Sequence, residues 1–148
     1  MSPSTSFSYD QPLGKGMTLS PGRVLVVDDD PPIRRVLQTT LTSAGYMVFN
    51  AMTGEEALEK IQEGLTVDAI LLDLKMPGMG GLEACRRIRE ITDTPILVIS
   101  ILREPGDRMQ ALAVGADDYL AKPFGIYELL SRIHTLRKAA ALESAVHV

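Results

Sequence analysis

The stretch VLVVDDDPP, residues 24 to 32, places four apolar residues directly before three adjacent carboxylates, Asp28, Asp29 and Asp30. An uninterrupted apolar run is typical of a strand that is buried on both faces, as in a parallel sheet. Three neighbouring carboxylates repel one another, so they need either protons or a cation. The stretch therefore predicts a buried parallel strand that ends at a site where negative charge is neutralised.

The same alternation of elements continues along the chain. Short apolar runs take turns with stretches of helical period, and Gly45, Gly64 and Gly115 end three of these helical stretches. The predicted strands are 23–27, 46–51, 69–72, 96–99 and 119–121. Five βα units with short connections predict an α/β fold, a doubly wound five-stranded parallel sheet with five helices on its two faces.

Local signals predict how the helices begin and which residues they bury. Thr53 and Glu56 form a capping box before the second helix, and Asp30, ahead of two prolines, is predicted to cap the first. Cys85 lies on the apolar side of the third helix and is predicted to be a core residue. For the first, fourth and fifth helices the predicted core positions are Ile33, Val36, Leu37, Leu41 and Ala44; Met109 and Leu112; and Ile126, Leu129, Leu130, Ile133 and Leu136.

The composition predicts one globular domain with short tails. The chain has 148 residues, 45% of them hydrophobic and 23% charged, which is ordinary for a single domain. Residues 1–22 are rich in Ser, Pro and Gly and are expected to form a disordered N-terminal tail, in which Met17 is an alternative start. Residues 23–139 are expected to form the domain, and residues 140–148 a C-terminal tail or truncated linker.

Charge and hydropathy exclude several classes of function. The formal net charge of −4 argues against nucleic-acid binding by this chain. A lone cysteine cannot form an internal disulfide, and no Cys/His cluster offers a zinc site. The apolar runs are too short for a bilayer and no secretory signal is present, so we expect no membrane partner and a cytoplasmic location.

Four predicted strands end in a polar residue that can take part in chemistry: Asp28 with Asp29, Asp73, Ser100 and Lys122. Ligands of open parallel sheets bind beyond the carboxyl ends of the strands, so we expect these side chains to converge. Clustered carboxylate oxygens suit Mg²⁺. A cation, an ammonium group and a hydroxyl around a carboxylate make a site for phosphoryl transfer, and the carboxylate can itself accept the group as an aspartyl phosphate.

The chain resembles the receiver domains of response regulators, the receiving half of bacterial two-component signalling. The resemblance covers roughly residues 23–139 and lies in VLVVDDDPPIRRVL, AILLDLKMPGMGGLEACRRIR, ILVIS and GADDYLAKPF. It implies a flavodoxin-like sheet of order 2-1-3-4-5. It also implies a phosphoacceptor switch that takes its phosphoryl group from a sensor histidine kinase, and that catalyses only its own phosphorylation and dephosphorylation.

The resemblance assigns roles residue by residue. Asp73 matches the phosphate-accepting aspartate and is also a metal ligand. Asp28 and Asp29 match the acidic pair that holds Mg²⁺, Asp29 directly, and the backbone carbonyl of Lys75 matches a further metal ligand. Lys122 matches the lysine that contacts phosphate.

The same resemblance also concerns two switch residues, one peptide bond and one departure from the family pattern. Ser100 and Tyr119 match the switch hydroxyl and the switch aromatic, which is expected to turn inward on phosphorylation and alter the surface of helix 4, strand 5 and helix 5. The peptide bond before Pro123 is expected to be cis. Ile101 departs from the pattern, because a small residue usually follows the switch hydroxyl, and its bulk is expected to affect access to the acceptor.

Four charged residues resemble those of receivers from winged-helix (OmpR/PhoB-type) transcription factors. Arg108, Asp118, Glu128 and Arg132 fall where that subclass pairs charges across a dimer, Arg108 with Glu128 and Asp118 with Arg132. A phosphorylation-dependent homodimer and a role in transcription are therefore expected. No winged helix follows in this sequence, so the chain is expected to act alone or to have lost its output domain.

Two other functions stay open from the sequence. Asp28 and Asp30 satisfy the Asp-x-Asp spacing of haloacid-dehalogenase-type phosphatases, in which Asp28 would be the nucleophile, although Pro32 stands where that family has Thr or Val. The other alternative is a scaffold that binds partners without being phosphorylated. The intact set of acids and Lys122 argues against a scaffold.

Overall fold

A computed structural model of the chain describes residues 22–101 and 104–146, with only the backbone for the last two. The predicted N-terminal tail and Met17 lie outside the described residues. The strands are β1 Arg23–Val27, β2 Met47–Ala51, β3 Ala69–Leu72, β4 Ile96–Ile101 and β5 Asp118–Lys122. The helices are α1 Pro31–Ser43, α2 Gly54–Gln62, α3 Gly81–Ile91, α4 Asp107–Ala113 and α5 Ile126–Val146.

The five strands form one parallel sheet of order β2-β1-β3-β4-β5. This confirms the predicted fold class and strand order. Val27 of β1 lies beside Leu72 of β3. Asp28 and Asp73, the next residue in each strand's direction, are therefore neighbours at the same edge of the sheet. Backbone hydrogen bonds continue the ladder beyond the strands, from Asp28 N to Ala51 O at 3.1 Å and from Asp73 N to Val27 O at 3.0 Å.

Both faces of the sheet are covered by helices, which explains the uninterrupted apolar strands. Alternate strand residues point to opposite faces: Leu25 and Val27 pack with α2, α3 and α4, while Val24 and Val26 pack with α1 and α5. Cys85 is fully buried on the first of these faces, as predicted. Burial raises the pKa of its thiol to about 11, so the thiol stays protonated and acts as a core residue.

The structure corrects some of the predicted helix faces. Val36 is 59% exposed and Met109 is 73% exposed, and Leu112 and Ile126 are exposed as well. Helix α4 has only seven residues, of which Ala111 alone is buried. A helix of two turns does not define an apolar face by its period, and the sequence pattern was wrong there.

The helix ends also differ in part from expectation. Asp30 occupies the N-cap position of α1, but its side chain makes no capping hydrogen bond. The capping box of α2 is half confirmed: Glu56 N donates to Thr53 Oγ1 at 3.0 Å, whereas Glu56 Oε1 accepts from Met52 N at 2.7 Å, one residue before the cap. Residues 140–146, expected to belong to a C-terminal tail or truncated linker, are helical and continue α5. Within the described residues no helix is long and apolar enough to span a bilayer.

Candidate functional site

Three carboxylates converge where β1 and β3 end. One oxygen from each of Asp28, Asp29 and Asp73 lies within 4.8 Å of the others. Asp28 is only 3% exposed and Asp73 only 7% exposed. The convergence follows from the parallel pairing of β1 with β3, which places the residue after each strand at the same edge of the sheet. The predicted acidic cluster is therefore present.

The counter-charge within the chain comes from the end of β5. Lys122 Nζ lies 3.5 Å from Asp28 Oδ2 and 3.6 Å from Asp73 Oδ2, so one ammonium group is shared by two carboxylates. Ser100 is buried at the same edge, where β4 pairs with β5 so that Ser100 lies beside Ala121. The Lys122–Pro123 peptide bond is cis, as predicted. The ends of β1, β3 and β5 thus contribute charged groups to one site, and Ser100 of β4 lies at the same edge of the sheet.

Backbone groups fix the orientation of the two buried carboxylates. Asp30 N donates to Asp28 Oδ1 at 2.9 Å, and Lys75 N donates to Asp73 Oδ1 at 3.1 Å. The Arg34 guanidinium donates from Nη1 to the backbone oxygen of Asp28 at 2.7 Å. Each carboxylate therefore has one oxygen held by a backbone N–H and the other facing Lys122.

Burial raises the pKa of the Asp28 carboxyl above its usual value, and repulsion from Asp73 adds to the effect. The N–H of Asp30 and the Lys122 ammonium oppose the rise. A raised pKa means that the ionised form of Asp28 is disfavoured in the fold. Three acids beside Lys122 and the Arg34 guanidinium still leave an excess of negative charge that a divalent cation would neutralise.

The donor set fits Mg²⁺. Carboxylate oxygens are the hard ligands that this ion prefers, and it is usually held by few protein groups with several waters. Asp28, Asp29 and Asp73 supply such oxygens within one small volume. The Lys75 carbonyl, the fourth expected ligand, belongs to a residue whose N–H already contacts Asp73.

Tyr119 is 4% exposed and packs in the core with α3 and α4. Burial raises the pKa of its hydroxyl, the charges of Asp107 and Asp73 add to the rise, and the nearby Ser100 hydroxyl opposes it. The Tyr119 hydroxyl lies near Ser100, but within the described part of the chain it forms no hydrogen bond of normal geometry. The ring was expected to reach the interior only on phosphorylation; this structure already has it inside.

Three of the four charged residues expected at a dimer interface are paired within the chain. Arg132 Nη1 lies 3.0 Å from Asp118 Oδ2 and donates to the Tyr119 backbone oxygen at 3.0 Å, while Arg132 Nη2 lies 3.4 Å from Glu128 Oε2. Arg108, exposed on α4, has no ion pair with a described residue. Arg132 thus ties α5 to the backbone of Tyr119.

Sequence reasoning missed the contacts that hold the loop after Asp73. Met79 N donates to Glu55 Oε2 at 3.2 Å, and Gly81 N donates to Leu74 O at 3.0 Å. The glycine-rich stretch PGMGG, residues 77–81, was the available signal, because glycines often mark close backbone approach. The partner of such a loop cannot be read from its sequence.

The comparisons with known proteins agree with this geometry. Residues 24–134 match the response regulator receiver domain family. The chain is 45% identical to the response regulator MprA of Mycobacterium ulcerans over 122 residues, covering 82% of this chain and 52% of MprA. It is 42% identical to the transcriptional regulatory protein ResD of Bacillus subtilis over 122 residues, covering 82% of this chain and 50% of ResD.

Solved structures give the same answer. The receiver domain of the Francisella response regulator 1452 superposes with a TM-score of 0.75 at 34% identity, covering 80% of this chain and 98% of that one. The chemotaxis protein CheY4 of Vibrio cholerae superposes with a TM-score of 0.73 at 37% identity, covering 79% of this chain and 99% of that one.

Fold and site together define a receiver domain of two-component signalling, whose family function is that of a phosphoacceptor. The chain belongs to the response regulator receiver family, and its relatives include transcriptional regulators. It spans about half the length of the curated relatives that it matches. The family match does not favour the haloacid-dehalogenase alternative.

Proposed function

We propose that Asp73 of this chain accepts a phosphoryl group from the phosphohistidine of a sensor histidine kinase. The observation that carries the proposal is the placement of Lys122 Nζ within 3.6 Å of two buried carboxylates that share a metal-binding cluster. If Lys122 served only to stabilise the fold through an ion pair, one carboxylate would be enough, whereas three converge here. Membership of the family implies the sensor kinase as partner.

In the proposed transfer an oxygen of Asp73 forms a bond to phosphorus as the phosphorus–nitrogen bond of the phosphohistidine breaks, and the imidazole nitrogen keeps the electron pair. Lys75 N–H holds Asp73 Oδ1, which leaves Oδ2 facing Lys122 as the attacking atom. The Lys122 ammonium then stabilises charge on the transferring oxygens. The chain modifies only itself and turns over no external substrate.

Asp28, Asp29, Asp73 and the Lys75 carbonyl are the groups that would hold Mg²⁺. The bound ion would supply positive charge that neutralises phosphoryl oxygens during transfer. Because the Asp28 carboxyl has a raised pKa, proton loss from this residue would accompany metal binding at acidic pH.

The proposed output is a change of the α4–β5–α5 surface. Ser100 would contact the new phosphoryl oxygens, and Tyr119, adjacent to Ser100, would be held inside. Arg108, Asp118, Glu128 and Arg132 lie on this surface and are proposed to pair across a homodimer. Because Arg132 already bonds to the Tyr119 carbonyl and to Asp118, the switch residue and the proposed interface share one side chain.

The relatives named as transcriptional regulators suggest that the signal reaches transcription, through a segment or partner other than this domain. The chain's acidic net charge of −4 agrees with no direct nucleic-acid contact. A cytoplasmic location fits a partner of sensor kinases.

The test is intact mass after incubation with acetyl phosphate and Mg²⁺. Wild-type protein should gain one acid-stable, base-labile phosphoryl group, and Asp73→Asn should gain none. Asp29→Ala should bind Mg²⁺ weakly by NMR titration and should label poorly. Equal labelling of wild type and Asp73→Asn would move the acceptor elsewhere. No labelling of wild type, with Mg²⁺ binding intact, would favour a scaffold that works without phosphorylation.

A further inference from the structure

We propose that Glu55, on the first turn of α2, is a positioning residue for the loop that carries the phosphoacceptor. The loop runs from Asp73 at the end of β3 to Gly81 at the start of α3. Glu55 Oε2 accepts a hydrogen bond from Met79 N at 3.2 Å, across 24 residues of sequence. The proposal deepens the function proposed for Asp73 and rests on it.

A glycine in the loop admits the Glu55 carboxylate. A Cβ on Gly78 would lie 2.8 Å from Glu55 Oε2 and 3.3 Å from Oε1, closer than side chains normally approach. Gly78 also has φ +76°, a conformation that favours glycine. Gly78 therefore leaves room for the Glu55 carboxylate beside the loop backbone, and a larger residue there would displace the end of the Glu55 side chain.

The start of α2 is itself held in place against the loop and α3. Thr53 caps the helix through Glu56 N. A Cβ on Gly54 would lie 2.7 Å from Ala84 Cβ and 3.3 Å from Met79 Sδ, so Gly54 lets α2 pack closely on α3 and on the Met79 side chain. Glu55 thus acts from a rigid base and not from a mobile helix end.

The loop has few other ties at its centre. Its ends are closed by the bond from Gly81 N to Leu74 O, and Lys75 N bonds to Asp73 Oδ1. Among the described side chains, only Glu55 is shown bonding to its central backbone from outside the loop. Lys75, whose carbonyl is an expected metal ligand, is four residues from the tethered Met79. Loss of the tether should therefore loosen Lys75 and weaken Mg²⁺ binding.

The experiment compares three variants of the full chain. Glu55→Ala removes the acceptor oxygen and the charge, whereas Glu55→Gln keeps an acceptor oxygen and removes only the charge. Glu59→Ala removes an exposed carboxylate one turn further along α2 and serves as the matched control. Comparing Glu55→Ala with Glu55→Gln separates the effect of the hydrogen bond to Met79 N from the effect of a negative charge near the N-terminus of α2.

Amide hydrogen exchange and NMR titration with Mg²⁺ give the readouts. In Glu55→Ala we expect faster exchange of the Lys75 amide and Mg²⁺ affinity about two- to tenfold weaker, which corresponds to loss of one hydrogen bond. Glu55→Gln and Glu59→Ala should stay close to wild type. Urea unfolding of all three variants should show similar midpoints. This control excludes a general loss of stability, which would speed amide exchange throughout the sheet and not only at Lys75.

Two outcomes would overturn the proposal. Unchanged Lys75 exchange and Mg²⁺ affinity in Glu55→Ala would show that the loop is positioned without Glu55. Equal effects of Glu55→Ala and Glu55→Gln would assign the effect to charge and not to the hydrogen bond. Failure of wild-type protein to label on Asp73 would instead overturn the proposed function, since the exchange measurement needs no phosphoryl group.

Discussion

Gly81 is the position at which a single methyl group should disturb both the stability of the fold and Asp73, the proposed phosphoacceptor. A Cβ there would lie 2.3 Å from Leu74 Cα and 2.5 Å from the Asp73 backbone oxygen. Ordinary van der Waals contact begins at 3.4 Å, so the loop backbone must retreat by about 1.1 Å in Gly81→Ala. The atoms that must move are backbone atoms of Asp73 and Leu74, not the end of a flexible side chain.

The expected cost follows from overpacking. Inserting a methyl group into a closed contact costs about 1–3 kcal/mol. With a urea m-value of roughly 2 kcal/mol/M, the midpoint of unfolding should fall by about 0.5–1.5 M. A displacement of about 1 Å at a reacting group can reduce a rate by about 100-fold, so labelling of Asp73 by acetyl phosphate should slow far more than the folded fraction falls.

Urea unfolding followed by circular dichroism and labelling followed by intact mass measure the two effects. Gly106→Ala is the matched control, because a Cβ at Gly106 meets nothing within 4 Å and its φ of −85° suits any residue. If Gly81→Ala unfolds at the same urea concentration as Gly106→Ala and labels as fast, the steric argument is refuted.

Three further predictions concern the charges and bulk around the site. Asp28→Asn should stabilise the metal-free protein at pH 7, because the raised pKa of Asp28 means that its ionised form destabilises the fold. This destabilisation disappears as the pH falls through the folded pKa, so the extra stability of the variant, measured by urea unfolding with EDTA, should shrink at acidic pH. Extra stability that does not change with pH would contradict the argument. Ile101→Ala should shorten the lifetime of phosphorylated Asp73, measured by mass, if the Ile101 side chain shields the site; an equal or longer lifetime shows that it does not. The protein should form a dimer with beryllofluoride, measured by light scattering, that Arg132→Glu disrupts and added Asp118→Arg partly restores; a dimer indifferent to Arg132→Glu would place the interface elsewhere.

The sheet and the centre of the site could be predicted from sequence for a physical reason. A parallel strand buried on both faces has an uninterrupted apolar pattern, and the residue that follows it must lie at the edge where ligands bind. Asp28 and Asp73 directly follow β1 and β3, and Ser100 and Lys122 lie within the last two residues of β4 and β5, so placing them at one edge required only the strand assignments and the topology.

Other features depend on contacts that leave no local pattern. Helix α4 is too short for periodicity to show that Ala111 is buried and Met109 exposed. Arg132 has the helical spacing to pair with Glu128, but its bonds to Asp118 and to the Tyr119 carbonyl depend on how α5 lies against β5. The Glu55 contact needs the positions of α2 and the β3–α3 loop together, which no single segment specifies.

The distance along the chain between Asp28 and Lys122 has a consequence for how the protein matures. These two residues are 94 positions apart, and contacts between distant segments form only after a large loss of chain entropy. A chain that has not yet added β5 to the sheet would have its three acids without the lysine that balances them. The complete site therefore exists only once β5 has joined the sheet, and because the proposed metal ligands lie at the ends of β1 and β3, labelling of Asp73 rather than Mg²⁺ binding would follow that step during refolding.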